Sequence, residues 1–220
     1  MRNGSLHHSV QKKHYKQDEN EIGKWLEENY PKIERRAKAE NAEVYWADEA
    51  GLQNSSNYIK GYSPRGITPT IPIASKHVRV NMISAITSAG KLRFHFYRGK
   101  MTQAKFKEFL LHIMKRTEKK VFVICDSLSA HIALDLKAWV AENSDKIELF
   151  HLPYYAPHLN PAEYLNNNLK YEMVRKGYAK DKHEIKKNAM NIMRSITSTK
   201  GRIASFFDHE DVKYAKLNQD

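Results

Sequence analysis

The spacing of hydrophobic positions changes from a helical to a strand period near residue 44. Before that point, apolar residues recur at intervals of three and four, which is typical of an amphipathic helix. They are Ile22, Trp25, Leu26, Ile33 and Ala37. Pro31 lies inside this stretch, and proline removes a hydrogen bond from a helix interior and clashes with the preceding turn. The pattern therefore predicts two short helices that meet near Tyr30, the second with Pro31 in its first turn.

After residue 44 the chain alternates between strand and helix patterns. Strands are predicted at 44–47, 79–86, 92–97, 121–125 and 147–152. Helices are predicted at 102–117, 132–143, from about 161 to 174, and from about 182 to 196. Antiparallel strands followed by alternating strands and helices predict an α/β fold, with a mixed sheet flanked by helices on both faces.

Charge and composition limit the classes of partner that the protein is expected to bind. Lys and Arg number 37 against 25 acids, a net charge of +12, which favours a polyanion such as nucleic acid over a generally basic surface without a ligand. The single cysteine, Cys125, excludes a disulfide framework and a cysteine zinc site. No apolar stretch approaches the roughly 18 residues of a membrane span. We therefore expect a cytoplasmic, nucleoid-associated protein without a membrane partner.

Three acids occupy positions where functional groups gather in α/β sheets. Asp48 and Asp126 follow predicted strands, and Glu163 lies in the first turn of a predicted helix. Carboxylates of this kind hold Mg²⁺ together with substrate phosphate. Each acid also has a structural interpretation: the two aspartates as turn residues, and Glu163 as the third residue of a near capping box that starts at Asn160.

Together with their surroundings, the acids resemble a family. Residues 46–52, 79–84, the apolar strand ending at Asp126, and residues 152–163 (LPYYAPHLNPAE) are similar to the mariner-type bacterial insertion-sequence transposases, which are DDE superfamily endonucleases. The resemblance implies an RNase H-like fold in which Asp48, Asp126 and Glu163 are catalytic and bind two Mg²⁺ or Mn²⁺ ions. It implies DNA cleavage and strand transfer during transposition. Asn166 stands where many members carry Trp.

The resemblance also suggests a domain organisation. Full-length relatives begin with helix-turn-helix DNA-binding modules, and residues 1–40 are too short to supply them, so the chain is expected to correspond to the catalytic half. We predict a flexible basic arm at 1–18, a helical linker at 19–40 and the catalytic domain at 41–220. Expected partners are DNA and a second transposase copy, as in a homodimer. Two alternatives stay open: a truncated, non-catalytic fragment that inhibits transposition by binding DNA or transposase, and an RNase H-like nuclease unrelated to mobile elements.

Further residues are candidates for contacts to DNA. The cationic ones are either phosphate contacts or solvated surface: Lys60, Arg65, Lys76, Arg79, Lys170 and Arg175. His131, five residues after Asp126, is predicted to contact DNA or metal, with a structural role as the alternative. Glu49 follows Asp48 directly and is expected to point to the opposite face of the strand.

Overall fold

A computed structural model of the chain describes residues 17–54, 64, 66, 77–177 and 179–216. Its strands are β1 Glu43–Gln53, β2 Arg79–Ile86, β3 Leu92–Tyr97, β4 Val121–Cys125 and β5 Ile147–His151. Its α-helices are α1 Glu19–Lys24, α2 Tyr30–Ala39, α3 Gln103–Met114, α4 Leu134–Glu142, α5 Pro161–Arg175 and α6 Lys182–Ser198. No helix in the described ranges has both the length and the apolarity needed to cross a bilayer.

The five strands form one mixed sheet in the order β3-β2-β1-β4-β5. The β1–β2 and β2–β3 pairs are antiparallel, whereas β1–β4 and β4–β5 are parallel. Alternate residues of β1 face opposite sides of the sheet, so Trp46 joins the core that contains α5 and α6, and Tyr45 joins the core beneath α3 and α4. The predicted mixed sheet between two helical layers is confirmed.

Strand β1 is longer than predicted, and Asp48 does not end it. The strand continues to Gln53 because β2 pairs with it throughout, with Asp48 opposite Ser84. The parallel partner β4 stops earlier, and the last paired residues are Trp46 and Ile124. Asp48 therefore lies in β1 just beyond the end of β4. Pairing has overridden the weak strand propensity of the Asp-Glu-Ala-Gly segment.

The first helical region has the predicted second helix with Pro31 in its first turn, but its junction with the first helix is continuous. A π-helical turn, Trp25–Asn29, joins α1 to α2 without a break. The Tyr30 N–H donates to the carbonyl oxygen of Trp25, five residues back, and this wide turn accommodates Pro31 in the first turn of α2. Tyr30 packs against Trp46 of β1 with ring centroids 5.5 Å apart. The domain boundaries at residues 18 and 40 stay a prediction. Residues of α1 and α2 belong to the same hydrophobic core as the sheet.

Candidate active site

The structure brings the three predicted acids to one cleft. Asp48 projects from β1 beyond the end of β4, and Asp126 follows β4 directly. Glu163 stands in the first turn of α5. All three line a cavity of ≈ 330 Å³, closed on another side by the loop at 152–157. The carboxyl ends of neighbouring parallel strands thus form the cleft, as expected for α/β sheets.

Asp48 and Glu163 form a pair of carboxyl groups that share a hydrogen bond. Burial, and then the hydrogen bond and charge of Glu163, raise the pKa of Asp48 well above its usual range. Two adjacent carboxylates in a poorly solvated place repel each other, which favours the protonated form of Asp48. A divalent cation held by these acids would relieve that repulsion.

Asn166 is hydrogen-bonded to the Asp48 member of this pair. The sequence analysis did not identify Asn166 as a functional residue. Its side chain is fully buried, and its Nδ2 donates to Oδ2 of Asp48 at 2.8 Å. The hydroxyl of Ser84 donates to the Oδ1 of Asn166 at 3.1 Å. The signal available in the sequence was the spacing, because residues 163 and 166 lie one turn apart on the same helix face.

The N-terminus of α5 is anchored through Asn160. Its Oδ1 accepts from the Ala162 N–H at 3.0 Å, and its Nδ2 donates to the carbonyl oxygen of Ala47 at 2.9 Å, one residue before Asp48. The predicted N-cap is therefore present, but the reciprocal half of the capping box is different. The Asn160 N–H donates to the carbonyl oxygen of Pro157, while the Glu163 carboxyl turns to Asp48.

Asp126 is held by a separate network behind the cleft. His131 Nδ1 lies 2.8 Å from its Oδ1, and His131 Nε2 lies 3.1 Å from Oε1 of Glu49. Burial disfavours the protonated imidazole, but hydrogen bonds with Asp126, Cys125 and Glu49 prevail and raise the pKa of His131 to about 12. Glu49 thus lies on the opposite face of β1 from Asp48, as predicted, yet is linked to Asp126 through one imidazolium.

The donor set fits divalent metal, although the acids are not gathered around one point. Among the residues that the structure describes, no three His, Cys, Asp or Glu side chains are placed to hold a single ion. The Asp126 side chain is 59% exposed while it contacts His131, so it remains accessible from the cleft. Three carboxyl groups that line one cleft offer the hard oxygen donors that Mg²⁺ and Mn²⁺ prefer.

The predicted DNA contacts are dispersed. Lys60, Arg65 and Lys76 lie outside the described residues. Arg79 is exposed at the start of β2, with its Nε bonded to Asn81, and Arg175 pairs with Glu172 at the end of α5. Lys170 is partly exposed on the same helix. His131 is 2% exposed, which favours its position behind Asp126; a contact with DNA stays a prediction.

A mixed sheet with acids at the ends of two parallel strands and on an adjoining helix is the arrangement of an RNase H-like fold. Residues 43–186, well over half of the chain, match the family model described as DDE superfamily endonuclease. The chain belongs to this family. No curated protein matches the chain significantly.

Solved structures with the same fold include the catalytic domain of Mos1 mariner transposase, at TM-score 0.62 and 10% identity, covering 94% of this chain and 96% of that one. The Mos1 transposase paired-end complex with left transposon end matches at TM-score 0.69 and 13% identity, covering 97% and 64%. The Mos1 mariner paired end complex with Mn matches at 0.67 and 12%, covering 97% and 68%. The predicted RNase H-like fold is confirmed. The chain spans 64% of the length of the Mos1 chain in the first of these complexes.

Proposed function

We propose that the chain is a DDE transposase catalytic domain that cleaves DNA phosphodiesters and transfers the resulting strand ends during transposition of an insertion sequence. The observation that supports it best is the hydrogen-bonded Asp48–Glu163 pair in the cleft that Asp126 also lines. Such a pair is unfavourable without a cation and is expected to be stabilised when one binds. Membership of the DDE endonuclease family supports a catalytic role for that cation.

Asp48, Asp126 and Glu163 would hold two Mg²⁺ or Mn²⁺ ions. When bound, the metal pair lowers the barrier by activating the attacking oxygen and stabilising the leaving oxygen. In cleavage, the oxygen of water bonds to phosphorus as the bond from phosphorus to the 3′ oxygen breaks. In transfer, the freed 3′-hydroxyl attacks a phosphate of the target strand, and another 3′ oxygen leaves.

The remaining residues of the site position the acids. Asn166 fixes the orientation of Asp48 with a neutral donor and so adds no charge that competes with a cation. We assign His131 a positioning role: bound to Glu49 on its far side, it fixes the carboxylate of Asp126 at the cleft. Asn160 fastens the first turn of α5 to β1, which sets the distance between Glu163 and Asp48.

DNA is the proposed substrate, and a second copy of the chain the proposed partner. The net charge of +12 supports a polyanionic substrate. The Mos1 structures of similar fold are described as paired-end and strand transfer complexes, and joining two ends in one complex is suited to two catalytic chains. The positions that touch DNA phosphates, among them Arg79, Lys170 and Arg175, remain part of this proposal.

Nicking of supercoiled plasmid tests the proposal. The wild type should nick with Mn²⁺ or Mg²⁺, and Asp48→Asn should abolish nicking, whereas Asp135→Asn, an exposed acid outside the cleft, should not change it. Joining of an oligonucleotide 3′-hydroxyl end to plasmid separates a transposase from a plain nuclease. A folded wild-type chain that binds DNA but neither nicks nor joins would instead support the non-catalytic, inhibitory fragment.

A further inference from the structure

Exposed aromatic side chains are concentrated at the cleft. Among the described residues, the large hydrophobic side chains that remain exposed are Leu111, Leu128, Leu134, Tyr154, Tyr155 and Tyr171. Three of them, Leu128, Tyr154 and Tyr155, line the same cavity as the carboxyl groups. Tyr154 is 64% exposed and Tyr155 is 45% exposed. Leaving this much apolar surface in water beside an acidic cluster gives no stability, and exposed apolar patches commonly mark binding sites.

The loop that carries the two tyrosines is held in place from both sides. Leu152 and Ala156 are buried, and the Leu152 N–H donates to the carbonyl oxygen of Cys125 at 2.9 Å, directly beside Asp126. Tyr155 has φ 58, a left-handed conformation that is unfavourable for an aromatic residue and is concentrated at functional sites. The rings of Tyr154 and Tyr155 are therefore presented at the cleft by an anchored backbone.

The chemistry of the cleft indicates what these rings contact. None of the described side chains that line it is cationic, so its acids can attract phosphate only through bound metal. The tyrosine rings offer instead flat, uncharged faces next to the position of that phosphate. Nucleobases have matching faces, and aromatic side chains stack on them in proteins that bind single strands. Inside a duplex, both faces of a base are covered by its neighbours, so only a base that has left the stack can use the rings.

We propose that Tyr154 and Tyr155, with Leu128 at their edge, form a stacking site for one unpaired nucleobase adjacent to the phosphate that is cut. The proposal rests on the proposed function, because the scissile phosphate defines where the base lies. It adds that the favoured DNA substrate has a displaced or single-stranded nucleotide beside the cleavage position. Stacking alone does not read the sequence, so the site selects for DNA structure and not for one base.

Binding of two matched oligonucleotides tests the site with the full chain. One duplex carries an unpaired 2-aminopurine next to its end, and the other is fully paired with 2-aminopurine inside; both are bound in Ca²⁺, a cation with oxygen ligands. We expect the protein to quench the fluorescence of the unpaired 2-aminopurine and to leave that of the paired 2-aminopurine unchanged. Tyr154→Ala and Tyr155→Gly, which suits the positive φ, should each weaken binding of the first duplex by about 5- to 150-fold. Binding of the paired duplex should stay within about twofold of wild type, because no phosphate contact is lost.

Controls separate stacking from other roles of the tyrosines. Tyr154→Phe keeps the ring and should bind like wild type, and Tyr171→Ala removes an exposed tyrosine outside this cavity and should not affect the 2-aminopurine signal. In Tyr154→Ala, the slope of DNA affinity against salt concentration should be the same as in wild type, since that slope reports the number of phosphates neutralised.

Three results would each overturn the stacking site. The tyrosine variants could lose affinity equally for both duplexes, they could bind the unpaired duplex as well as wild type does, or the wild type could fail to bind DNA. Self-association that is lost in Tyr154→Ala, with DNA binding intact, would identify a protein interface instead. Failure of the proposed function is separate, because it appears as absent metal-dependent nicking by the wild type, whatever the probe shows.

Discussion

The side-chain amide of Asn166 on α5 donates to Asp48 on β1 at 2.8 Å, across a sequence separation of 118 residues. This bond joins the helix that carries Glu163 to the strand that carries its partner acid. Asn166 is itself held by the Ser84 hydroxyl on β2. Both polar ends of a fully buried amide are thereby satisfied, which is the arrangement that makes a buried polar group stabilising instead of costly.

Replacing Asn166 with Leu, which has a similar size, should destabilise the protein. The Ser84 hydroxyl and Asp48 would lose their partner inside the core, a cost of about 1–3 kcal/mol. Asp48 would also lose its fixed orientation, so Mn²⁺ affinity should fall. Urea unfolding and calorimetry measure the two effects. The neighbouring exposed Asn167→Leu is the matched control and should stay within about 0.5 kcal/mol of wild type; equal stability of the two variants would contradict the structural role of Asn166.

Metal binding should depend on all three acids and weaken as the pH falls. Burial and then the hydrogen bond with Glu163 raise the pKa of Asp48, so protons compete with the cation at this pair. For an acid with a raised pKa, the stability contribution is present below the ordinary value and is lost as pH rises through the folded-state pKa. The metal-free protein should therefore become less stable over that rise, and Mn²⁺ should restore the stability.

Calorimetry and thermal unfolding on wild type, Asp48→Asn and Asp126→Asn decide this prediction. Each variant should bind Mn²⁺ more weakly, and Asp48→Asn should also flatten the change of stability with pH, because its side chain does not titrate. Asp135→Asn serves as the control at an exposed position. Mn²⁺ affinity that is the same in all four proteins would remove the metal-site hypothesis.

His131→Ala should impair both the stability of the fold and the function of Asp126. The substitution leaves Glu49 without the imidazole at 3.1 Å and removes a ring whose centroid lies 4.0 Å from that of Phe106. We expect a loss of about 1–3 kcal/mol. His131→Gln should restore part of the stability by donating one hydrogen bond. Nicking measured in Mn²⁺ should fall in both variants, whereas unchanged nicking in a folded His131→Ala protein would exclude a positioning role.

Glu148→Gln tests whether the first helices are part of the same cooperative unit as the sheet. Glu148 on β5 accepts hydrogen bonds from Arg36 of α2 at 2.6 and 2.9 Å and from Lys120 at 2.7 Å. Arg36 is the main cause that lowers the pKa of Glu148, against partial burial, with Lys120 acting in the same direction. A lowered pKa contributes stability above the ordinary value of 4.5, which is lost as pH falls through the folded-state pKa.

At pH 7 the Glu148→Gln variant should therefore be less stable by about 0.5–1 kcal/mol, a small value because the partners are partly solvated. The difference from wild type should disappear in acid, once the wild-type carboxyl is itself protonated. Urea unfolding at both pH values measures it, with the exposed Glu142→Gln as control. A separate, earlier transition of the helical segment would show that residues 19–40 unfold independently.

Much of the fold could be predicted because hydrophobic period reports burial directly. The wholly apolar strand that ends at Asp126 was visible in this way, whereas the N-cap at Asn160 was visible from the spacing of Asn160, Pro161 and Glu163. The continuation of β1 past Asp48 was not, because it depends on pairing with β2, which lies more than 25 residues further along the chain. The networks around Asn166 and His131 were also hidden, since each joins residues about 80 or more positions apart.

Glu163→Gln distinguishes a helix cap from a metal ligand at the same position. Gln can occupy the third position of a helix without a charge, and here the Asn160 N–H already donates to Pro157, so the cap does not require a carboxylate. The variant should keep its stability within about 0.5 kcal/mol, or gain some, because one of two repelling carboxyl groups is removed. Nicking with Mn²⁺ should nevertheless fall by orders of magnitude if Glu163 holds metal.

Thermal unfolding without metal and plasmid nicking, measured on the same preparations, give both quantities for Glu163→Gln. Glu172 lies on the same helix and pairs with the exposed Arg175. Glu172→Gln is the matched control, with nicking expected to be unchanged. Full activity in a folded Glu163→Gln protein would refute the assignment of Glu163 as a metal ligand. An inactive variant of unchanged stability leaves the cap explanation insufficient, because a cap acts through stability alone, whereas a ligand acts on the metal that the reaction requires.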